Sequence, residues 1–225
     1  MDRWMDDLSP CKLFEGIEQK DMPVLLDCLQ ARRVCYDKDS YVLRAGDSPD
    51  ELGVVLKGAV TIAKEDYWGN RSIIQRLGPG GVFAESFAAA RAKSLPVSVI
   101  AVERSELLFL HCDSILSVCM HSCPFHTQLI FNMVQLLAQK NIALTQKIEH
   151  ITMRSTRDKL LSYLSGEAIR QGSDRFTIPY NRQELADYLC VERSAMSWAL
   201  SGLKREGRID YHKSDFWLTQ GPQAL

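Results

Sequence analysis

The chain has 225 residues, 46% apolar, 24% charged and 8% aromatic, ordinary proportions for a globular protein with apolar material for two modest cores. A net charge of −1 excludes a chain that is basic throughout, although from His150 onward 11 Lys and Arg face 9 Asp and Glu, a net of +2, against 16 and 19 before it, a net of −3. No apolar run reaches the ~20 residues of a membrane helix, and the acidic start Met1-Asp2-Arg3-Trp4-Met5-Asp6-Asp7 is unlike a signal peptide.

Seven cysteines at unequal gaps do not make a disulfide framework, so reduced, buried thiols and a cytoplasmic location are expected, with no membrane partner. From about Val34 to Leu110 short apolar runs alternate with turns. The runs are Tyr41-Val42-Leu43, Val54-Val55-Leu56, Val60-Thr61-Ile62, Ser72-Ile73-Ile74, Val97-Ser98-Val99-Ile100 and Leu107-Leu108-Phe109-Leu110. Ala45-Gly46-Asp47, Lys57-Gly58, Trp68-Gly69-Asn70 and Gly78-Pro79-Gly80-Gly81 supply the turns, because glycine and proline suit the backbone angles that tight turns demand. This pattern predicts a β-barrel or sandwich, interrupted by one short helix near Glu85–Ala90.

After Pro124 no Gly or Pro occurs until Gly166, and Ile130, Leu137, Leu144 and Ile151 recur at sevens. Met133, Val134 and Ile148 widen that stripe and Asn141 interrupts it, which reads as a helix-helix seam between two chains whose register one polar residue can fix. Packing of the helix on its own barrel is the alternative. A second helix is expected from about Thr156 through Ile169, ending at Gln171-Gly172-Ser173. The predicted domains are 1–123, a sensor barrel, 124–153, a dimerisation helix, and 154–225, a winged helix-turn-helix.

In the last domain Asn181 and Glu184 have the spacing of a capping box, and Leu185, Ala186 and Leu189 follow as the apolar face of a short helix. Cys190-Val191-Glu192 makes the turn into a second helix, Arg193–Leu203. Its inward residues are Met196, Ala199 or Leu200, and Leu203, leaving Arg193, Ser194, Ser197 and Trp198 outward. Two such helices fit a helix-turn-helix, although any small helical pair in a core has the same pattern. Arg208-Ile209-Asp210-Tyr211 and Phe216-Trp217-Leu218, joined by His212-Lys213-Ser214-Asp215, add a β-hairpin that reads as a wing.

From about Leu13 to Leu218 the order of these parts resembles the bacterial Crp/Fnr family of transcription regulators. Leu13-Phe14-Glu15-Gly16-Ile17, the turns at Ala45-Gly46-Asp47, Leu56-Lys57-Gly58 and Gly69, and Leu77-Gly78-Pro79-Gly80-Gly81-Val82-Phe83-Ala84-Glu85 look like its cyclic-nucleotide-binding-like sensor barrel, a jelly roll. Asn181 through Leu189 and Glu192 through Ser197 look like its two DNA-binding helices. The resemblance implies an α+β fold. It also implies a homodimer on a pseudo-palindromic operator in double-stranded DNA, and RNA polymerase as a further partner. It places Arg193, Ser194, Ser197 and Trp198 at base-reading or phosphate positions and Arg182 and Gln183 at backbone phosphate. Trp198 stands where the family often has arginine, so it either packs or meets a thymine methyl.

Members of that family that bind a cyclic nucleotide use a Gly-Glu pair and, about ten residues later, an Arg-Ser pair. Here Glu85 matches the carboxylate, but Ala84 replaces the glycine and Leu95-Pro96 replace Arg-Ser, so cyclic AMP is not the expected ligand. Ser86, Arg91, Ser94 and Ser98, with Lys93, are candidates for holding another small anion, or else are an ordinary solvated loop. Cys11, Cys28 and Cys35 are too dispersed for the iron-sulfur cluster some members carry. Cys112, Cys119 and Cys123 with His111, His121 and His126 form a denser group for which structural thiols and surface histidines are expected rather than metal.

No P-loop, dinucleotide fingerprint, nucleophile elbow or usual zinc-ligand spacing occurs, so the expectation is a regulator without catalytic residues or a resident cofactor. The signal state of the barrel is expected to shift the Ile130–Ile151 seam and with it the two DNA-binding heads. The rival is a nucleotide- or redox-sensing module acting through protein contacts alone, which leaves the terminal helix pair and hairpin without a purpose.

Overall fold

Residues 5–65, 67–68, 71–116 and 124–219 are described by a computed structural model, and the chain divides within its longest helix into two units, Met1–Ala138 and Gln139–Leu225. In the first unit, helices α1 (Met5–Leu8) and α2 (Met22–Cys28) precede strands β1 (Arg32–Tyr36), β2 (Tyr41–Leu43), β3 (Glu51–Lys57), β4 (Val60–Glu65), β5 (Arg71–Leu77) and β6 (Val82–Phe83). Helix α3 (Glu85–Ala89), strands β7 (Ser98–Ala101) and β8 (Ser105–His111), and helix α4 (Cys112–Leu116) follow, before the long helix α5 (Pro124–Ile151). The strands form two antiparallel four-stranded sheets, β1-β8-β3-β6 and β2-β7-β4-β5, so the expected barrel is a jelly-roll pair of sheets rather than one closed cylinder.

Strands β3 and β8 show why. Their side chains alternate between two apolar layers, Val55, Leu107 and Phe109 facing the space between the sheets, and Leu52, Val54, Leu56, Leu108 and Leu110 facing α2 and the start of α5. A strand buried on both faces reads as a continuous apolar run, which is what Leu107-Leu108-Phe109-Leu110 is. Gly53 is required by packing, since a Cβ there would stand 2.0 Å from the Phe83 ring. Two short strands, β1 and β6, have no clear alternation of their own and are recruited by their neighbours.

The N-terminal turn of the chain is held on α5 by Asn132, whose side-chain amide donates to the carbonyls of Leu13 (3.0 Å) and Glu15 (2.8 Å). Leu129 and Met133 of α5 enter the same core. Met133 is only 1% exposed, so it belongs to the core of its own unit and leaves the seam inferred from sequence; Leu137 also packs against that core. The outward apolar residues of α5 are instead Phe131, Val134, Ile142, Leu144 and Ile148, while Ile130 and Ile151 are half-buried. Phe131, Val134, Ala138, Asn141, Thr145 and Ile148 are all exposed and spaced alternately by three and four, a heptad stripe rotated from the one read at sevens from Ile130.

In the second unit, helix α6 (Thr156–Gln171) starts at Ser155, whose hydroxyl accepts from the Asp158 amide, and stops at Gly172 in the left-handed conformation. Strand β9 (Arg175–Thr177), helices α7 (Arg182–Tyr188) and α8 (Arg193–Arg205), and strands β10 (Ile209–His212) and β11 (Asp215–Leu218) complete it. The expected hairpin β10-β11 gains β9 at its edge, making a three-stranded sheet, and Phe176 and Phe216 stack across it at 6.2 Å. One core, including Leu164, Phe176, Leu185, Ala186, Met196, Leu200 and Phe216, joins helices and sheet.

Candidate functional site

Helix α7 is fixed at its start by a reciprocal cap. The Asn181 side-chain oxygen accepts from the amides of Gln183 (2.9 Å) and Glu184 (3.0 Å), and the Glu184 carboxylate accepts from the Asn181 amide (2.8 Å). Ala186, fully buried, keeps the crossing with α8 close. The turn between the helices places Cys190 at φ 52°, and the Val191 amide donates to the Ala186 carbonyl at 3.0 Å. Met196, Ala199, Leu200 and Leu203 then bury one stripe of α8, which forces the opposite face outward.

That outward face carries every recognition-helix residue singled out from the sequence: Arg193, Ser194, Ser197 and Trp198 are all exposed. The Arg193 guanidinium and Ser194 hydroxyl have no hydrogen-bond or ion-pair partner among the described residues. Ser197 differs, donating to the Arg193 carbonyl at 2.9 Å, and Ser201 repeats the bond one turn on, to the Ser197 carbonyl at 2.9 Å. Ser201 and Arg205 continue the face and were missed in the sequence reading; two successive four-residue steps from Ser197 reach first Ser201 and then Arg205. Around α8, Arg205, Arg208 and Lys213 make no ion pair among the described residues, whereas Lys204 is paired with Asp210 and Arg157 with Glu206.

The two α7 residues assigned to phosphate are partly occupied. Arg182 lays its guanidinium 4.6 Å from the Tyr211 ring centroid and 5.2 Å from that of Phe216, tying α7 to the wing, and burial there lowers its pKa. The Gln183 amide donates to the Asp187 carboxylate at 2.9 Å.

In the first unit the sensor candidates do not converge. Ala84 holds a left-handed φ of 61° ahead of α3, the angle for which glycine is the comfortable residue. Glu85 is 4% exposed and accepts from the Ser86 hydroxyl at 3.1 Å. Leu95, which the family resemblance sets against a phosphate-binding arginine, is 2% exposed within the core between the sheets. Its backbone is fixed to the turn at 45–47, with Gly46 donating to the Leu95 carbonyl and Leu95 to that of Asp47. Ser98 is engaged by the same turn, accepting from the Ala45 amide at 3.0 Å. Ser94 is exposed, and Arg91 is drawn away to an exposed ion pair with Asp113 (3.0 Å). That pair borders a cleft of about 440 Å³ also lined by Ser48, Asp50, His111 and Cys112.

The five cysteines among the described residues are buried or surface thiols. Burial pushes Cys11 up to about 11 and raises Cys112, the opposite of what a thiolate ligand needs, while Cys28, Cys35 and Cys190 are exposed. His126 is buried with Nε2 3.1 Å from the Ile115 carbonyl oxygen. Cys119, His121 and Cys123 lie outside the described residues, and among those described no three His, Cys, Asp or Glu are grouped to hold a metal. No helix among them is long and apolar enough to cross a membrane.

Two family models match the chain, the cyclic nucleotide-binding domain over residues 33–122 and the Crp-like helix-turn-helix domain over residues 158–223. A sequence comparison with curated proteins returned no match. Among solved structures the chain is similar to CprK in complex with OCPA, at 16% identity over 87% of this chain and 88% of that one, TM-score 0.65. It is also similar to CLP, the c-di-GMP responsive global regulator of Xanthomonas campestris, at 17% identity over 88% and 98%, TM-score 0.58. The third is DNR from Pseudomonas aeruginosa, at 22% identity over 98% and 95%, TM-score 0.50. At these identities the likeness is one of fold.

Proposed function

The chain belongs to the Crp/Fnr family of DNA-binding transcription regulators, which are not enzymes, and we propose that it acts as a cytoplasmic homodimer on a pseudo-palindromic operator. The observation that carries this reading is the outward face of α8, where Arg193 and Ser194 are exposed and unengaged beside a wing. A helix with its apolar stripe buried and such groups left in solvent is built to exchange water for the edges of base pairs.

The exposed heptad stripe of α5 pairs the two copies, with Asn141 in the seam setting register. Half-sites lie about one helical turn apart, and affinity falls steeply with salt because phosphate contacts release counterions. RNA polymerase is the partner through which the bound dimer acts on transcription. Residues 1–123 hold the effector, which biases the dimer between two states only as far as it binds them unequally. Cyclic AMP does not fit: Leu95 offers no charge to its phosphate, and the candidate cation Arg91 is paired with Asp113. A different small molecule, met through Glu85 and Ser86, is the effector.

Selection of genomic fragments by the purified full-length protein, followed by titration of wild type and Arg193→Ala, tests the DNA reading. The expected outcome is a palindromic consensus that the variant binds at least tenfold more weakly, about 1.4 kcal/mol. Equal affinity of the two proteins would remove Arg193 from the interface.

A further inference from the structure

The reading face of α8 has few groups that can tell one base from another. Beyond Arg193 and Ser194, the hydroxyl protons of Ser197 and Ser201 are spent on carbonyls of the helix itself. Between those serines stands Trp198, 74% exposed, with no hydrogen-bond or ring partner among the described residues. Ser194, Trp198, Ser201 and Arg205 follow one another by four, three and four residues, so the indole sits in the middle of the outward row.

The fold has no use for this side chain: the buried stripe of α8 is complete without it. A large apolar ring held in water at the centre of a binding surface contributes only when a partner covers it. An indole has one N–H donor, no acceptor and no fork, so it cannot reproduce the bidentate grip of arginine on guanine. On the base edges of the major groove the apolar feature available is the C5-methyl of thymine.

We propose that Trp198 is a specificity-determining residue whose indole packs against thymine methyl groups, giving each operator half-site a preferred thymine at the step facing the second turn of α8. The inference rests on the reading of α8 as the recognition helix. It assigns to this chain a preference at that step for A·T over the G·C that an arginine in the same place would select.

The test replaces each thymine of the selected half-site in turn by deoxyuridine, which removes the methyl alone, and titrates full-length wild type and Trp198→Ala. At one or two positions wild type is expected to lose about fourfold in affinity per methyl, the worth of one buried carbon, while Trp198→Ala binds the two DNAs equally. Fragment selection repeated with Trp198→Arg is expected to exchange thymine for guanine at that step. Because the side chain is exposed, the melting temperature of both variants stays at the wild-type value, separating lost reading from lost folding. Deoxyuridine tolerated at every position, or a consensus unchanged in Trp198→Arg, would overturn the role of Trp198 and leave the DNA reading standing. Failure of wild type to enrich any sequence would overturn both.

Discussion

Three arginines mark the difference between the DNA-facing surface and the sensor. On α8 the Arg193 guanidinium is exposed and unengaged among the described residues. At the wing Arg182 is half-buried on two aromatic rings, and beside α3 Arg91 is held by a carboxylate at 3.0 Å. The first is ready to meet a ligand, the second braces the surface that presents it, and the third has its charge compensated. Leu95, expected from the family resemblance to stand where a cyclic phosphate would need an arginine, is buried. Residue type alone does not make a binding site; the state of engagement does, because a group already paired must first give up its partner.

The strongest way to break this comparison is to place a charge where the sensor lacks one. Leu95→Arg buries an unpaired guanidinium between the sheets and is expected to destabilise the first unit by ~3 kcal/mol or more. Thermal unfolding would show it as an early transition, and recovery of that loss on adding cyclic AMP would mean that the nucleotide pocket is otherwise intact. Arg182→Ala comes next, removing two ring contacts and the packed stem for a loss of about 1–2 kcal/mol in the second unit. Denaturant unfolding measures it, and Arg182→Lys is expected to recover less than half, since an ammonium lacks the planar face that lies on Tyr211. Smallest is Arg91→Ala. Its partner Asp113 is as exposed as Arg91 itself, so the change is expected to stay within about 0.5 kcal/mol and to leave DNA affinity unaltered. A large effect of this substitution on the response to an effector would restore Arg91 to the sensor.

Much of the DNA-binding unit was legible because its signals are local. Asn181 and Glu184 cap a helix three residues apart, the stripe from Met196 to Leu203 repeats with the helical period, and His212–Asp215 turns a hairpin, so neighbours along the chain decide each feature. The α5 stripe was legible only in part. Several faces of that helix are apolar, and periodicity could not say which face its own core would take; Met133 and Leu137 went inward and Phe131 outward. Strand β9 was invisible because three residues carry no period, and only pairing with β11 makes them a strand.

The sequence by itself therefore determined the order of the main parts, the α+β class, the helix pair with its wing, and the outward placement of Arg193, Ser194, Ser197 and Trp198 on α8. Tertiary structure decided which polar groups were left free. Arg91 meets Asp113 across 22 residues, Arg182 meets rings 29 and 34 positions away, and Leu95 enters a core built from both sheets. Those partners are fixed by where distant elements come together, and the free energy of a charge or a hydroxyl depends on the water and the neighbours around it rather than on its place in the chain.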